Sequence, residues 1–184
     1  MKQLWIKAAS VALITLSQLP LIGQKLISDQ MAVEFFSDAP LEDISARSTE
    51  GKGMLDLSSG AFFFRVPITS FHFENELMEE HFNENYMESE QYPLATFKGN
   101  IDTSTWSETS VDTQVEGVLN IHGTEQASTL PLHIIKTSEE FEIVSKFDVA
   151  LEDYQIEVPT LLFQKIADTI SVSVSVHLVP FIKN

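Results

Sequence analysis

The chain has 184 residues, 43% of them hydrophobic, with thirteen phenylalanines, no cysteine and a formal net charge of −16. That charge excludes a nucleic-acid surface or a basic patch for anionic headgroups, since both need clustered Lys and Arg. The missing cysteine excludes disulfides, thiolate metal sites, a cysteine nucleophile and an acylated lipoprotein anchor.

Residues 1–23 read as a secretory leader, with Lys2 and Lys7 as its positive start, Ala8 to Leu16 as its apolar core and Gly23 at its exit. Ser10, Thr15, Ser17 and Gln18 interrupt the run, so it falls short of the roughly 20 apolar residues of a stable span. An uncleaved anchor is the alternative. Residues 24–184 are then expected as one exported domain, periplasmic or secreted, without a membrane span.

From about residue 31 the hydrophobic period is two, the mark of half-buried strands. Strands are expected at 31–37, 42–48, 52–57, 61–71, 94–101, 111–121, 129–136, 140–151 and 169–179. The last is the plainest: Ile170, Val172, Val174, Val176 and Leu178 share one face, and Ser171, Ser173, Ser175 and His177 the other. In 111–121, Val111, Val115, Leu119 and Ile121 alternate with Asp112, Gln114, Glu116 and Asn120. Turn residues separate most segments: Ser58-Ser59-Gly60, Ser104 to Ser107, Gly123 and Ser138-Glu139-Glu140. Short links between eight or nine strands favour an antiparallel barrel or sandwich.

Two segments break the rhythm. Residues 75–88 have helical spacing, with Met78, Phe82 and Tyr86 on one face and Glu79, Glu80 and Glu84 elsewhere. Residues 152–168 read as an irregular loop or a single helical turn.

The stretch 71–97 holds two histidines and seven glutamates with no lysine or arginine. A divalent-metal hydrolase built on His72 and His81 is one reading, because imidazole and carboxylate suit such ions. No second histidine stands four residues from His81, however, and His72 alternates with Phe71 and Phe73, so it should face solvent. His81 is expected to bond a backbone carbonyl. So many glutamates without a basic partner must be solvated, and no G-x-S-x-G nucleophile turn is present. Neither a metal nor a catalytic residue is therefore assigned.

A strand ending Ile68-Thr69-Ser70-Phe71 leads to His81-Phe82, Tyr86-Met87 and Tyr92-Pro93-Leu94-Ala95-Thr96-Phe97. Later come Glu116-Gly117-Val118-Leu119-Asn120-Ile121-His122-Gly123, Leu130-Pro131-Leu132 and Phe147 to Ile156. Over residues 60–180 this series resembles the YceI-like family of lipid- or polyisoprenoid-binding domain proteins. The resemblance implies an extended, lipocalin-like barrel of about eight strands, exported to the periplasm. It also implies an apolar channel for an isoprenoid or fatty chain and no catalytic residues. The opening departs from the family: Val33-Glu34-Phe35-Phe36 runs into the more polar Leu41 to Arg47.

A barrel puts alternate side chains inside, where they either fill the core or line a slot for one ligand. Phe62, Phe64, Val66 and Ile68 share a face, as do Phe141, Ile143, Ser145, Phe147 and Val149. The carrier reading takes Phe62, Phe64, Val66, Val115, Leu119, Phe141, Phe147 and Val174 as channel lining, with Met78 and Phe82 as an apolar lid. The partner is a long-chain lipid or isoprenoid, and no cofactor beyond it is expected. The rival reading is a filled acidic barrel acting as a protein-interaction or stress-response module.

Overall fold

The computed structural model describes residues 25–38, 43–104, 106, 109–157 and 166–182. Within them the strands are β1 Lys25–Ser37, β2 Ile44–Ser48, β3 Lys52–Asp56, β4 Ala61–Pro67 and β5 His72–Phe73. They continue as β6 Leu94–Asn100, β7 Ser110–Ile121, β8 Thr124–Thr137, β9 Glu140–Ala150 and β10 Thr169–Pro180. All the pairs are antiparallel. Eight strands close a barrel in the order β10-β9-β8-β7-β6-β4-β3-β1, with β1 returning to β10. Closure removes the exposed edges that an open sheet would present. The expected leader, 1–23, lies outside the described residues.

β1 makes the closure. One edge pairs with β10, from Leu26↔Pro180 to Phe36↔Ser171. The other is divided, Lys25–Ile27 pairing with β3 and Val33–Ser37 with β2. Between these halves the register slips at Ser28/Gln30, leaving Asp29 as a bulge residue. An extra residue reverses the parity of the strand. Leu26 and Ser28 are buried before the bulge, and Met31, Val33, Phe35 and Ser37 after it. The strand expected at 31–37 therefore begins at Lys25, with its first half in opposite phase.

The segment expected as one strand over 61–71 stops at Pro67, which has no N–H to donate to a ladder. A 3₁₀ turn, Ile68–Ser70, follows it and leads into β5. Buried hydroxyls hold this corner. Ser70 Oγ donates to the Pro67 carbonyl at 2.6 Å, leaving Ser48 Oγ to donate to Ser70 at 2.6 Å and to accept from the Glu50 N–H at 3.2 Å. Every polar atom in that chain has a partner, so its burial carries no desolvation penalty.

The expected helix 75–88 divides. α1, Glu76–His81, starts where Asn75 accepts from the Leu77 N–H at 2.9 Å. It widens into a π turn, Phe82–Tyr86, ending with the Met87 N–H on the Phe82 carbonyl at 2.9 Å. One residue more in the turn puts Met87 inside along with Phe82. Of the region 152–168, Leu151–Tyr154 is a 3₁₀ turn, and 158–165 lie outside the described residues.

Candidate functional site: an apolar cavity in the barrel

Alternation brings one row of every barrel strand to the axis, and these rows leave a cavity of about 200 Å³. Phe62, Phe64 and Val66 come from β4, Phe97 from β6, Val115 and Leu119 from β7, Phe147 from β9 and Val172 and Val174 from β10. Phe97, Phe147, Ile170, Val172 and Val174 point to this interior yet are only partly buried. An apolar void of about 150 Å³ already suffices for a benzene-sized guest. The interior is therefore not filled throughout.

The lining carries few polar groups. Ser145 is buried in it, but its hydroxyl donates to the Pro131 carbonyl at 2.6 Å. Tyr86 borders the cavity under the helical segment, and burial pushes its phenol above the ordinary range, so it stays a neutral donor at physiological pH. Trp106 borders it as well; its Nε1 is buried with no hydrogen-bond partner among the described residues. Exposed Arg65 and half-buried Thr96, opposite each other on β4 and β6, edge it.

One end of the barrel is capped by aromatic rings. Phe82 of the π turn lies 5.4 Å from Phe35, 5.8 Å from Phe71 and 5.1 Å from Phe73, centroid to centroid. Beside this cap the β7–β8 hairpin turns through His122-Gly123, both at positive φ (51° and 72°), the backbone of a type I′ turn. The turn delivers His122 between two covering segments. Its Nδ1 lies 3.3 Å from the Tyr154 carbonyl and its Nε2 3.0 Å from a Glu88 carboxylate oxygen. The Tyr92 ring meets it edge-on at 4.5 Å.

Near this cap the wall is not laddered throughout. β8 pairs with β9 only from His133↔Val144 to Thr137↔Glu140. Pro131, without an N–H, stands where the ladder stops. Beyond it the 3₁₀ turn is tied to β8 by side chains, Gln126 Nε2 donating to the Asp153 carbonyl at 2.7 Å.

Of the residues expected to line a channel, Phe62, Phe64, Val66, Val115, Leu119, Phe147 and Val174 border the cavity, and so does the expected lid residue Phe82. Phe141 does not. It is buried at the other end, its ring 5.4 Å from Trp106 and 5.7 Å below the Lys136 ammonium. Met78 packs against the core from α1 without bordering the cavity, since the π turn gives that place to Met87. Sequence reasoning also missed Trp106, which no alternation marks. His72 is exposed, 3.5 Å from Glu79. The carbonyl bond expected of the His81 ring belongs to His122; the His81 side chain makes no hydrogen bond among the described residues. Among those residues no three His, Asp or Glu side chains gather as metal ligands, and no helix is long and apolar enough to cross a membrane.

A family model, the YceI-like domain, matches residues 25–178. Solved structures share the fold. A polyisoprenoid binding domain from Saccharophagus degradans aligns with a TM-score of 0.74 at 14% identity, covering 85% of this chain and 98% of that one. BcnA from Burkholderia cenocepacia aligns at 0.67 and 14% identity, covering 80% and 95%. A YCEI protein from Campylobacter jejuni aligns at 0.53 and 14%, covering 98% and 92%. No curated protein matches the chain by sequence.

Proposed function

This chain belongs to the YceI-like domain family, and from that premise we propose that it binds a long-chain amphiphile in its barrel and shields it from water. The class is a polyisoprenoid, an isoprenoid quinone or a fatty-acid derivative. The single observation that carries this reading is the cavity, whose strand walls present almost only aliphatic and aromatic side chains. Such a wall offers nothing to a polar solute. A hydrocarbon chain gains about 25 cal/mol for each Å² withdrawn from water, before the costs of association. The polyisoprenoid-binding description of the Saccharophagus degradans domain supports the same ligand class.

The chemistry of the lining supports binding rather than catalysis. The Ser145 hydroxyl is committed to Pro131, and among the described residues no acid–base pair faces the cavity. The apolar start of the chain, residues 1–23, supports export, so the work would be done in the periplasm or outside the cell. Mass spectrometry of an organic extract of freshly purified protein tests the carrier reading. A co-purified lipid in near-stoichiometric amount is the expected result. An empty extract, with no rise in unfolding temperature when long-chain alcohols or isoprenoids are added, overturns it.

A further inference from the structure

We propose that Gly53 and Phe64 form a width-determining pair, in which the glycine lets the ring lie along the barrel wall and so keeps the cavity broad enough for a methyl-branched chain. The proposal rests on the carrier reading and adds to it the residues that set which chains fit.

Three phenylalanines of the lining each lie over a glycine of the neighbouring strand. Gly53 on β3 stands opposite Phe64 on β4, and a Cβ built on it would sit 1.9 Å from Phe64 Cδ1. Gly99 on β6 stands opposite Phe62, whose Cζ would be 2.8 Å from such an atom. On Gly117 of β7 the added carbon would meet Phe97 Cε2 at 2.6 Å. The rings form one continuous aromatic wall, with Phe62 5.0 Å from Phe97 and 6.0 Å from Phe64. Glycine inside a strand weakens it and marks a place where something approaches the backbone closely. Here that something is a ring of the lining. A side chain at the glycine position would force the ring off the wall, and the space beside it is the lumen.

Two of these seats serve the sheet as well. The Glu116 carbonyl stands 2.6 Å from a Cβ on Gly99, and the Lys98 carbonyl 2.7 Å from one on Gly117. Substitution there disturbs the β6–β7 ladder itself. At Gly53 the three nearest obstructing atoms all belong to the Phe64 ring, and the backbone there is one that any residue adopts. Gly53→Ala therefore acts on Phe64 and leaves the strand able to form.

The test uses the full chain and two probes of similar length, geranylgeraniol, which is methyl-branched, and n-hexadecanol, which is not. Affinities are measured by displacement of a fluorescent fatty-acid analogue, with thermal unfolding recorded alongside. A methyl group's worth of space in an apolar pocket changes binding by roughly ten- to two-hundredfold. Gly53→Ala should weaken geranylgeraniol by about tenfold or more and hexadecanol by less than about threefold. Gly53→Ala with Phe64→Leu, which shortens the displaced side chain, should restore geranylgeraniol binding. Unchanged affinities in Gly53→Ala overturn the proposal while leaving the carrier reading intact. So does an equal loss of both alcohols that Phe64→Leu does not restore. A wild-type chain that binds neither alcohol removes the carrier reading and this proposal with it.

Discussion

At one end of the barrel Leu26 and Leu178 are 0% exposed, Ile134 is 2% exposed, and Phe141 packs on Trp106. A few residues along the same strands, Phe147 on β9 and Val172 and Val174 on β10 are half-buried around a cavity. The alternation is the same in both places. What differs is what meets the inward side chains. At the sealed end the chain after β6 brings in Trp106, a large side chain from outside the strands. In the hollow part, the rings of β4 and β6 lie over glycines instead of reaching across. A two-residue rhythm sets which face is inside; it does not set whether the inside is full.

The comparison breaks most visibly with a charge. Leu178→Glu puts an unpaired carboxylate into a packed site, where desolvation costs several kcal/mol, a large share of a domain's total stability. No soluble, cooperatively unfolding protein is expected from it. Phe147→Glu places the same group beside a space that water can enter. That variant should fold, with a two-state denaturant transition, and emerge from purification without lipid. If both variants fold, or neither does, the two regions are not distinct.

Truncation sharpens the contrast at smaller cost. Leu178→Ala should destabilise by about 2–5 kcal/mol, since it opens a cavity in a filled region. Val174→Ala removes two methyl groups that already border a void, and about 1 kcal/mol is expected. Urea titration of both variants reads the difference. Equal losses would mean that the hollow is closed in solution. A buried polar link gives an intermediate effect: Ser48→Ala leaves the Glu50 N–H without its acceptor and Ser70 without its donor. About 1–3 kcal/mol should be lost in the same titration.

How much of this was legible follows from the same physics. The barrel class and the inward rows of β4, β7, β9 and β10 were legible because alternation is a local property of each strand. The first half of β1 was not, because the Asp29 bulge reverses its phase and erases the period across Lys25–Ser37. The segment 61–71 reads as one strand because Ile68 carries the alternation of Phe62, Phe64 and Val66 past Pro67, although the ladder cannot continue there. Met87 was hidden by a π turn that changes the helical spacing by one residue. The cavity was the least legible feature. It depends on pairs far apart in the chain, such as Phe62 over Gly99 and Phe97 over Gly117, and on a tryptophan in a loop.

The smallest expected effect concerns the bulge that begins the sealed end. His177 Nδ1 lies 2.8 Å from the Asp29 carboxylate, and its Nε2 lies 3.4 Å from Glu140. The hydrogen bond to Asp29 raises the His177 pKa above its ordinary value of 6.5, against a smaller opposing effect of burial. A group whose pKa is higher in the folded state binds its proton more tightly there, so it stabilises the fold at low pH. That contribution is complete below about pH 6.5, the unfolded value. It fades as the pH rises through the raised folded value and is gone above it. The pair is partly exposed, so about 1 kcal/mol or less is expected. His177→Gln keeps a hydrogen bond to Asp29 but has no proton to lose. The stability difference between wild type and His177→Gln, from urea unfolding, should therefore be largest at pH 5.5 and vanish by pH 8.5. A difference that is flat with pH would show that Asp29 holds the bulge without the charge on His177.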